Sequence, residues 1–393
     1  MQLLEGIRVL DLARVVSGPF CAMTLGDLGA EVIKVEVPKV GDELRTFLPI
    51  VDGESFSFNN TNRNKFSITL DLRKQEAIEV FKRLVMTADI IVENYRPGVT
   101  QRLGIDYDTV KQWKPDIIYA SISGFGQEGP YKTRAAYDVI TQAMSGLMSI
   151  TGYPDGTPTK VGVSMTDFLT ALFNSVSILA ALHHRDVTGE GQYIDTAMLD
   201  SGVAVLEGAI PTYTLTGEIQ PRLGNRHPAG PIHNVFHCKD GDILLASPNQ
   251  KAWTNICKLM GHEELLEDER YETMAKRKIM IDSVEGYVQD YLKDLTVEEA
   301  LKNLMDIGFP CGPILNIKQV VEDPQIKFRR MVREFPHEKL GKVYMQGYPS
   351  HFSTANTEIK KLAPKLGEDT DRYLKEVGYT DEEIAELKKK DIF

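Results

Sequence analysis

Asp167 stands at the head of an apolar helix pattern, where a carboxylate can act as a nucleophile or simply cap the helix. The helix dipole favours acids in the first turn, so the position alone predicts capping rather than catalysis. The preceding residues 162–166, GVSMT, nearly match the nucleophile-elbow pattern G-x-S-x-G. Thr166 replaces the second glycine of that pattern, which argues against a serine hydrolase.

Residues 124–129, GFGQEG, match the pattern G-x-G-x-x-G after a predicted strand, and such a loop can cradle the pyrophosphate of a dinucleotide. The context differs, because residues 130–134, PYKTR, follow in place of an apolar helix. The acidic residue expected about twenty positions further on is also missing. The pattern therefore favours a loop near a site over a nicotinamide or flavin site.

Three histidines and a cysteine lie close enough in sequence to raise the question of a metal site: His227, His233, His237 and Cys238. Two prolines, Pro228 and Pro231, break their spacing, and the zinc-binding pattern H-E-x-x-H does not occur. Ordinary loop and strand histidines are favoured, so no metal is predicted.

The chain has 393 residues and a net charge of −11, which argues against a basic nucleic-acid-binding surface. Its length predicts two lobes, because single cores stop growing near ~250–300 residues. The four cysteines contain no C-x-x-C pair and are predicted to be buried thiols in the cytoplasm. A targeting segment is not expected, and no apolar run is expected to reach the ~18–20 residues of a membrane span.

The elements that would position these residues alternate between strand and helix. The predicted strands are 7–12, 31–35, 67–72, 88–92, 116–122 and 191–198, and the predicted helices are 19–28, 74–87, 106–113, 137–148 and 167–184. This alternation predicts an α/β fold with a mostly parallel sheet covered by helices. A hairpin at 236–247 then opens a smaller α+β lobe, and a charged helix is predicted at 380–393.

Longer motifs are distributed along nearly the whole chain. They are GIRVLDLARVVSGP (6–19), GDLGAEVIKVE (26–36), NRNK (62–65), VENYRPG (92–98), SGFGQEGP (123–130), AYDVITQAMSG (136–146), TGEGQ (188–192) and FPCGPI (309–314). In this order they resemble the class III CoA-transferases, the family of formyl-CoA and carnitine CoA-transferases, which also contains α-methylacyl-CoA racemases.

The resemblance implies that Asp167 is the catalytic nucleophile and that a CoA thioester is a substrate, with no tightly bound cofactor. In the implied mechanism the Asp167 carboxylate attacks the thioester, and the resulting anhydride is converted to an aspartyl-CoA thioester. An acceptor carboxylate then takes the CoA through a second anhydride. Backbone amides near the helix start and in residues 124–129 are candidates to stabilise the oxyanion.

The same resemblance implies which residues bind CoA: Val15, Val16, Leu70, Arg73, Asn94, Tyr95, Arg96, Gly98, Arg102 and Tyr137. Arginines matter here because CoA brings several phosphate charges to a protein that is itself acidic. Some family members carry an arginine where this chain has Val37. Lys39 and Arg45 are the candidates to replace that contact.

Two positions predict the subclass. Racemases carry a histidine in the segment where this chain has Tyr137, a poor base at neutral pH, so a racemase or epimerase is the disfavoured alternative. Formyl-CoA transferases have a run of glycines in place of residues 247–250, SPNQ, which argues against an oxalate-specific enzyme. The sequence looks most like transferases for short dicarboxylates such as succinate, glutarate or hydroxymethylglutarate. A 2-hydroxy or other monocarboxylic acceptor stays open.

The implied fold is a Rossmann-like large domain, residues 1–198 completed by about 336–393, and a small α+β domain, 223–308. Linkers are expected at 199–222 and 309–335. Two chains are expected to thread through each other as an interlocked homodimer. The expected partners are acyl-CoA and a carboxylic acid, with neither nucleic acid nor a membrane.

Overall fold

The computed structural model describes residues 2–228, 230–246, 249–338 and 340–393. The strands are β1 (Arg8–Asp11), β2 (Glu31–Glu36), β3 (Ile50–Val51), β4 (Glu54–Ser55), β5 (Lys65–Thr69), β6 (Ile90–Glu93), β7 (Ile118–Ser123), β8 (Gln192–Ala197), β9 (His233–Cys238), β10 (Gly241–Ala246), β11 (Cys311–Pro313), β12 (Val332–His337) and β13 (Gly341–Gln346). The first helices are α1 (Ser17–Asp27), α2 (Phe56–Asn62), α3 (Gln75–Thr87), α4 (Val99–Leu103), α5 (Tyr107–Trp113), α6 (Asp138–Met144), α7 (Leu147–Ile150), α8 (Met165–Thr188), α9 (Met198–Ala204) and α10 (Ala209–Thr216). The later helices are α11 (Gln250–Met260), α12 (Met274–Ile279), α13 (Ile281–Leu292), α14 (Val297–Asp306), α15 (Ile317–Glu322), α16 (Pro324–Phe328), α17 (Thr370–Glu376) and α18 (Asp381–Lys389).

A six-stranded parallel sheet is the framework of the larger of two compact units, and its strand order is β5-β2-β1-β6-β7-β8. Counted along the chain, these strands lie in the order 3-2-1-4-5-6, that of a doubly wound Rossmann-like sheet. The predicted α/β class is therefore confirmed. The direction of winding reverses between β1 and β6, so the crevice expected for a ligand lies beyond their carboxyl ends.

Side chains on the central strands alternate between two apolar cores. Val9, Val32 and Ile90 pack with helices α1 and α8, through residues such as Leu25 and Ile178. Their neighbours Leu10, Ile33 and Ile91 pack with the opposite layer, which includes Phe81 of α3 and Leu374 of α17. Because both faces are covered, the strands are continuous apolar runs, which explains why the sequence pattern predicted them.

The second compact unit consists of Met148–Thr159 and Ala209–Asp323. It contains the predicted hairpin, β9 and β10, which is extended by β11 into a three-stranded antiparallel sheet. These bounds differ from the predicted small domain, 223–308. The segment predicted as a linker, 309–335, contains the paired strand β11 and helices α15 and α16, because Leu244 and Leu245 need an antiparallel partner strand.

Other differences from the sequence prediction are local. The helix expected at 137–148 is two short helices, α6 and α7, and the tail helix ends at Lys389 rather than residue 393. The hairpins β3–β4 and β12–β13 were not predicted. Cys21 and Cys257 are buried as expected, but Cys238 and Cys311 are only half-buried, because β9 and β11 are the edge strands of their sheet.

Helix α8 is long and apolar enough to cross a membrane by length and composition alone, with a mean hydropathy of 1.5 over its most apolar window. This corrects the expectation that no run reaches that length. The core helix of a soluble protein passes the same test, and α8 packs against α1 and the sheet through buried residues such as Ala171 and Ile178. That the protein does not associate with a membrane stays a prediction.

Candidate active site

A cavity of about 650 Å³ lies at the carboxyl ends of the parallel strands, where the strand order reverses. Its wall contains residues that follow each of the six strands, together with the first turn of α8. The lining residues used below are Arg14, Val15, Val16, Ser17, Val37, Leu70, Arg73, Asn94, Tyr95, Arg96, Gly124, Phe125, Lys132, Arg134, Tyr137 and Asp167. All of them belong to the large unit.

Asp167 is in the first turn of α8 and faces this cavity with its side chain partly buried. Burial raises the pKa of the Asp167 carboxyl to about 7, and the negative charge of Asp138 acts in the same direction. A hydrogen bond with the Ser17 side chain opposes both and favours the charged form. The carboxylate is thus poorly solvated, a state that makes it more reactive than one in water.

Asp138, which the sequence analysis did not assign to the site, holds the start of α8. Its Oδ1 accepts a hydrogen bond from the Thr166 backbone N–H at 2.8 Å and another from Thr166 Oγ1 at 2.8 Å. The Asp138 side chain is buried, so these donors balance its charge. The only sequence signal was an acid in the AYDVITQAMSG motif, next to Tyr137.

The segment after β1 forms the floor of the cavity and is fixed by side-chain contacts to its backbone. The amide of Asn94 accepts a hydrogen bond from Arg14 N at 2.8 Å and donates one to Arg14 O at 2.7 Å. Val15 has a φ of 63°, a costly left-handed conformation for a β-branched residue, and its N–H donates to Asp42 Oδ1 at 3.0 Å. These contacts hold Val15 and Val16 at the cavity wall, where CoA binding was predicted.

A buried cluster of charges, the Lys34–Asp42–Asp11–Lys65 network, lies beneath that segment. Lys34 Nζ is 3.0 Å from Asp42 Oδ2 and donates to Ala13 O at 2.8 Å, and Lys65 Nζ is 2.7 Å from Asp11 Oδ2. Burial works against the charge of Lys34, but the nearby carboxylates outweigh it and raise its pKa. For Lys65 burial dominates and lowers the pKa.

The NRNK motif supplies part of this support. Lys65 also donates to Asn62 Oδ1 and to Pro19 O, each at 2.8 Å, and so connects β5 to the start of α1. Arg63 binds the Asp27 carboxylate with its Nη2 at 2.6 Å. The motif therefore positions helix α1 from beneath the cavity, and its side chains are not among the lining residues.

Of the arginines predicted to bind CoA, Arg73 and Arg96 line the cavity and are exposed, although Arg73 also pairs with Asp71 at 2.7 Å. Gly98 and Arg102 are not among the lining residues. Leu70, Asn94, Tyr95 and Tyr137 do line the cavity, and the phenol of Tyr137 is 71% exposed.

Besides the buried Lys34, three further cations line the cavity that the sequence analysis did not assign: Arg14, Lys132 and Arg134. Arg14 lies 5.2 Å from the Tyr95 ring centre, and the guanidinium of Arg134 lies 3.7 Å from the ring centre of Tyr131. Lys132 and Arg134 occur in the residues 130–134 that argued against a dinucleotide site. Their basic charge was the available signal for a cationic part of the cavity wall.

The two candidates to replace an arginine at Val37 do not line the cavity, although Val37 itself does. Arg45 is held by the Glu36 carboxylate at 2.7 Å, and Lys39 pairs with Asp391 at 2.9 Å. That Lys39 or Arg45 replaces the missing contact therefore stays a prediction.

Residues 124–129 form a loop at the cavity, as predicted, with Gly124 and Phe125 in the wall. A Cβ at Gly124 would come within 2.1 Å of Ala136 Cβ, so only glycine fits there. Two amides of the loop are already bonded: Gly126 N donates to Ser123 Oγ at 2.9 Å and Gln127 N donates to Asp195 at 2.9 Å. Neither is available to an oxyanion in this arrangement.

The remaining sequence candidates lie elsewhere. Of residues 247–250, the first two lie outside the described residues, while Asn249 caps α11 through Ala252 N at 3.0 Å. His227 and His233 stack with ring centres 5.0 Å apart, and His237 bonds Asp242 at 2.6 Å. Within the described ranges, no group of three His, Cys, Asp or Glu residues could hold a metal ion.

Comparison with known proteins identifies the family. Human succinyl-CoA:glutarate CoA-transferase is 37% identical over 386 residues, covering 98% of this chain and 88% of that protein. The acetyl-CoA:oxalate CoA-transferase of Acetobacter aceti is 37% identical over 366 residues, covering 93% of each chain. A crystal structure of a CaiB/BaiF family protein from Brucella suis matches with a TM-score of 0.85 and 37% identity, covering 95% of this chain and 99% of that one. The family model for CoA-transferase family III matches residues 4–370, and the chain belongs to this family.

Proposed function

We propose that this CoA-transferase moves CoA from an acyl-CoA donor to a short dicarboxylic acid, with Asp167 as the nucleophile. The observation that carries the proposal is the Asp167 carboxylate, poorly solvated and facing a cavity at the switch point of the sheet. A carboxylate there can form acyl bonds and be regenerated without net change.

Transfer proceeds in four substitutions at acyl carbons. An Asp167 oxygen attacks the donor thioester carbon, the C–S bond breaks, and the products are a mixed anhydride and CoA thiolate. The thiolate attacks Asp167 Cγ, which releases the donor acid and leaves an aspartyl-CoA thioester. The acceptor carboxylate attacks the same carbon and expels the thiolate, which then attacks the acceptor carbonyl of the new anhydride and regenerates the Asp167 carboxylate.

The cavity meets two needs of this chemistry. Anhydrides and thioesters hydrolyse, so partial burial of Asp167 protects them from water. The thiolate must also stay close between steps, which requires the rest of CoA to remain bound. The exposed cations Arg73, Arg96, Lys132 and Arg134 are suited to hold its phosphate groups.

The acceptor class rests on the relatives. The two described above are named for glutarate and oxalate, both dicarboxylates, whereas their named donors, succinyl-CoA and acetyl-CoA, differ. We therefore propose a dicarboxylate acceptor and leave its chain length to measurement. The oxalate relative also keeps oxalate among the acids to test.

A panel of succinyl- and acetyl-CoA against oxalate, glutarate, a 2-hydroxy acid and a monocarboxylic acid tests this proposal. Exchange with a dicarboxylate, lost in Asp167→Ala, is the expected result. Transfer to only the 2-hydroxy or monocarboxylic acid would contradict the acceptor class. Deuterium uptake at the α-carbon of a 2-methylacyl-CoA without any acceptor would show a racemase instead.

We also propose that two copies form the interlocked homodimer that the family resemblance implies, in the cytoplasm and without nucleic acid or a membrane. Five apolar side chains on α8 are exposed in the single chain: Leu172, Phe173, Val176, Leu179 and Val187. They recur at the spacing of one helix face, an apolar patch that a second copy would cover. A monomer by analytical ultracentrifugation in detergent-free buffer would overturn the dimer, and a requirement for detergent would favour a membrane.

A further inference from the structure

The AYDVITQAMSG motif, residues 136–146, contributes buried polar side chains that the proposed chemistry does not use. Thr141 and Gln142 of α6 are fully buried, and both face the segment that leads into α8. Thr141 Oγ1 lies 2.7 Å from Thr166 Oγ1. Buried polar groups are retained where their hydrogen bonds are satisfied, and here the partners adjoin the nucleophile.

Gln142 bonds to this segment through both the oxygen and the nitrogen of its side-chain amide. Its Oε1 accepts a hydrogen bond from the Val161 backbone N–H at 2.9 Å. Its Nε2 donates to Val163 O at 3.3 Å and to Asp138 Oδ2 at 2.6 Å. One buried side chain thus fixes two backbone groups and the carboxylate that caps α8.

Asp138 connects Gln142 to Thr166, the residue beside the nucleophile. While Oδ2 is held by Gln142, Oδ1 accepts from Thr166 N at 2.8 Å, and Thr166 directly precedes Asp167. The two carboxyl oxygens are coplanar, so turning one turns the other. A rotation of the Asp138 carboxylate would move the first turn of α8 and, with it, the Asp167 side chain.

We propose that Gln142 is a positioning residue for Asp167, which acts through Asp138 and the backbone of residues 161–163. This inference rests on the proposed function of Asp167. It assigns Gln142 no contact with substrate. Misplacing a reacting group by about 1 Å costs about 100-fold in rate, so loss of this clamp should lower kcat far more than it weakens CoA binding.

The first test replaces Gln142 with Met, which has a similar length and no hydrogen-bonding amide. The kcat of Gln142→Met should fall about 10- to 100-fold, with the KM for the acyl-CoA donor changed less than about twofold. Gln289→Met is the matched control. Gln289 also bonds a backbone N–H and C=O, those of His237, but in the second unit, and its variant should keep wild-type kcat.

The second test exchanges the two polar groups. Gln142→Glu alone places two carboxylates together, and Asp138→Asn alone places two amide donors together, so both should lose activity. In the double variant Asp138→Asn/Gln142→Glu, the amide of residue 138 can donate to the carboxylate of residue 142 while still accepting from Thr166 N. The pair keeps its total charge, but the carboxylate of residue 142 cannot donate to Val163 O, so only part of the lost kcat should return.

If Gln142→Met does not fold, the kcat of the double variant Asp138→Asn/Gln142→Glu tests the positioning role by itself. Wild-type kcat in Gln142→Met, a parallel loss of kcat and CoA affinity, or no recovery in the double variant would each overturn the positioning role. These outcomes differ from failure of the proposed function, in which the wild-type protein itself would show no transfer or Asp167→Ala would remain active.

Discussion

Two sets of charged side chains lie near the carboxyl ends of the parallel strands, and they differ in almost every physical respect. The Lys34–Asp42–Asp11–Lys65 network is fully buried, and its members are paired with one another and with backbone oxygens. The exposed cavity cations Arg73, Arg96, Lys132 and Arg134 face the cavity. The buried set fixes the backbone around the cavity, and the exposed set is available to a ligand.

Basic residues of both kinds occur in or beside the sequence motifs. Lys65 belongs to the NRNK motif and Lys34 to GDLGAEVIKVE, yet both are structural, because a buried cation needs fixed anionic partners. Lys132 and Arg134 follow the SGFGQEGP motif and are exposed in the cavity wall. Membership of a motif therefore predicts a constrained position, whereas exposure at the cavity wall leaves a cation available to a ligand.

Breaking the buried set should have the largest effect. Lys65→Met leaves Asp11 buried beside Lys34 alone, and removal of one partner from a buried ion pair costs about 3–5 kcal/mol in the free energy of unfolding. Urea denaturation followed by circular dichroism measures that loss. The control Lys39→Met removes an exposed cation paired with Asp391 and should leave the midpoint unchanged. Equal midpoints for both variants would contradict the comparison.

Removing an exposed cation should weaken CoA binding and leave the stability of the fold unchanged. Arg96→Ala should weaken CoA binding by a few-fold to about tenfold, because a charge-assisted phosphate contact is lost, with no change in the urea midpoint. The loss should shrink as ionic strength rises. Isothermal titration with CoA at two salt concentrations checks both points. Arg102→Ala, outside the cavity lining, is the matched control, and equal losses in the two variants would count against the cavity assignment.

The smallest expected effect is that of removing the Ser17 hydroxyl, which lines the cavity and bonds the Asp167 side chain. Its hydrogen bond lowers the pKa of Asp167, so Ser17→Ala should raise that pKa further. Since the nucleophile acts as the carboxylate, the acid limb of the pH profile of kcat/KM should move to higher pH, by less than about one pH unit. Ser201→Ala removes a buried hydroxyl bonded to Ala197 O and should leave the limb unchanged. A limb that stays in place in Ser17→Ala would contradict the contact.

The sheet was predictable because its inner strands are buried on both faces. Every residue of Ile90–Glu93 and Ile118–Ser123 is buried. Such mainly apolar runs indicate a strand even when the neighbouring strands are unknown. Short elements were not, because β3 and β4 have two residues each and carry no readable period. Strand β11 lies in a segment with a linker-like sequence, because its three residues, Cys-Gly-Pro, resemble a turn.

The site was less predictable, because it depends on strand order. Asp167 was identified through family resemblance, whereas its position alone indicated a helix cap. Gln142 and Asp138 had no sequence signal beyond their place in the AYDVITQAMSG motif, since only the fold shows that α6 faces the start of α8. The sequence does not show that Arg45 forms an ion pair with Glu36, because the two residues are brought together by the fold.

The most direct test of the account is the capture of the acyl-enzyme on Asp167. The protein is incubated with succinyl-CoA and hydroxylamine, digested, and analysed by mass spectrometry beside Asp167→Ala. A hydroxamate at residue 167 of the wild-type protein is expected, because both the anhydride and the aspartyl-CoA thioester react with hydroxylamine at Asp167 Cγ. Active transfer without modification at residue 167, or an Asp167→Ala variant with wild-type turnover, would contradict it.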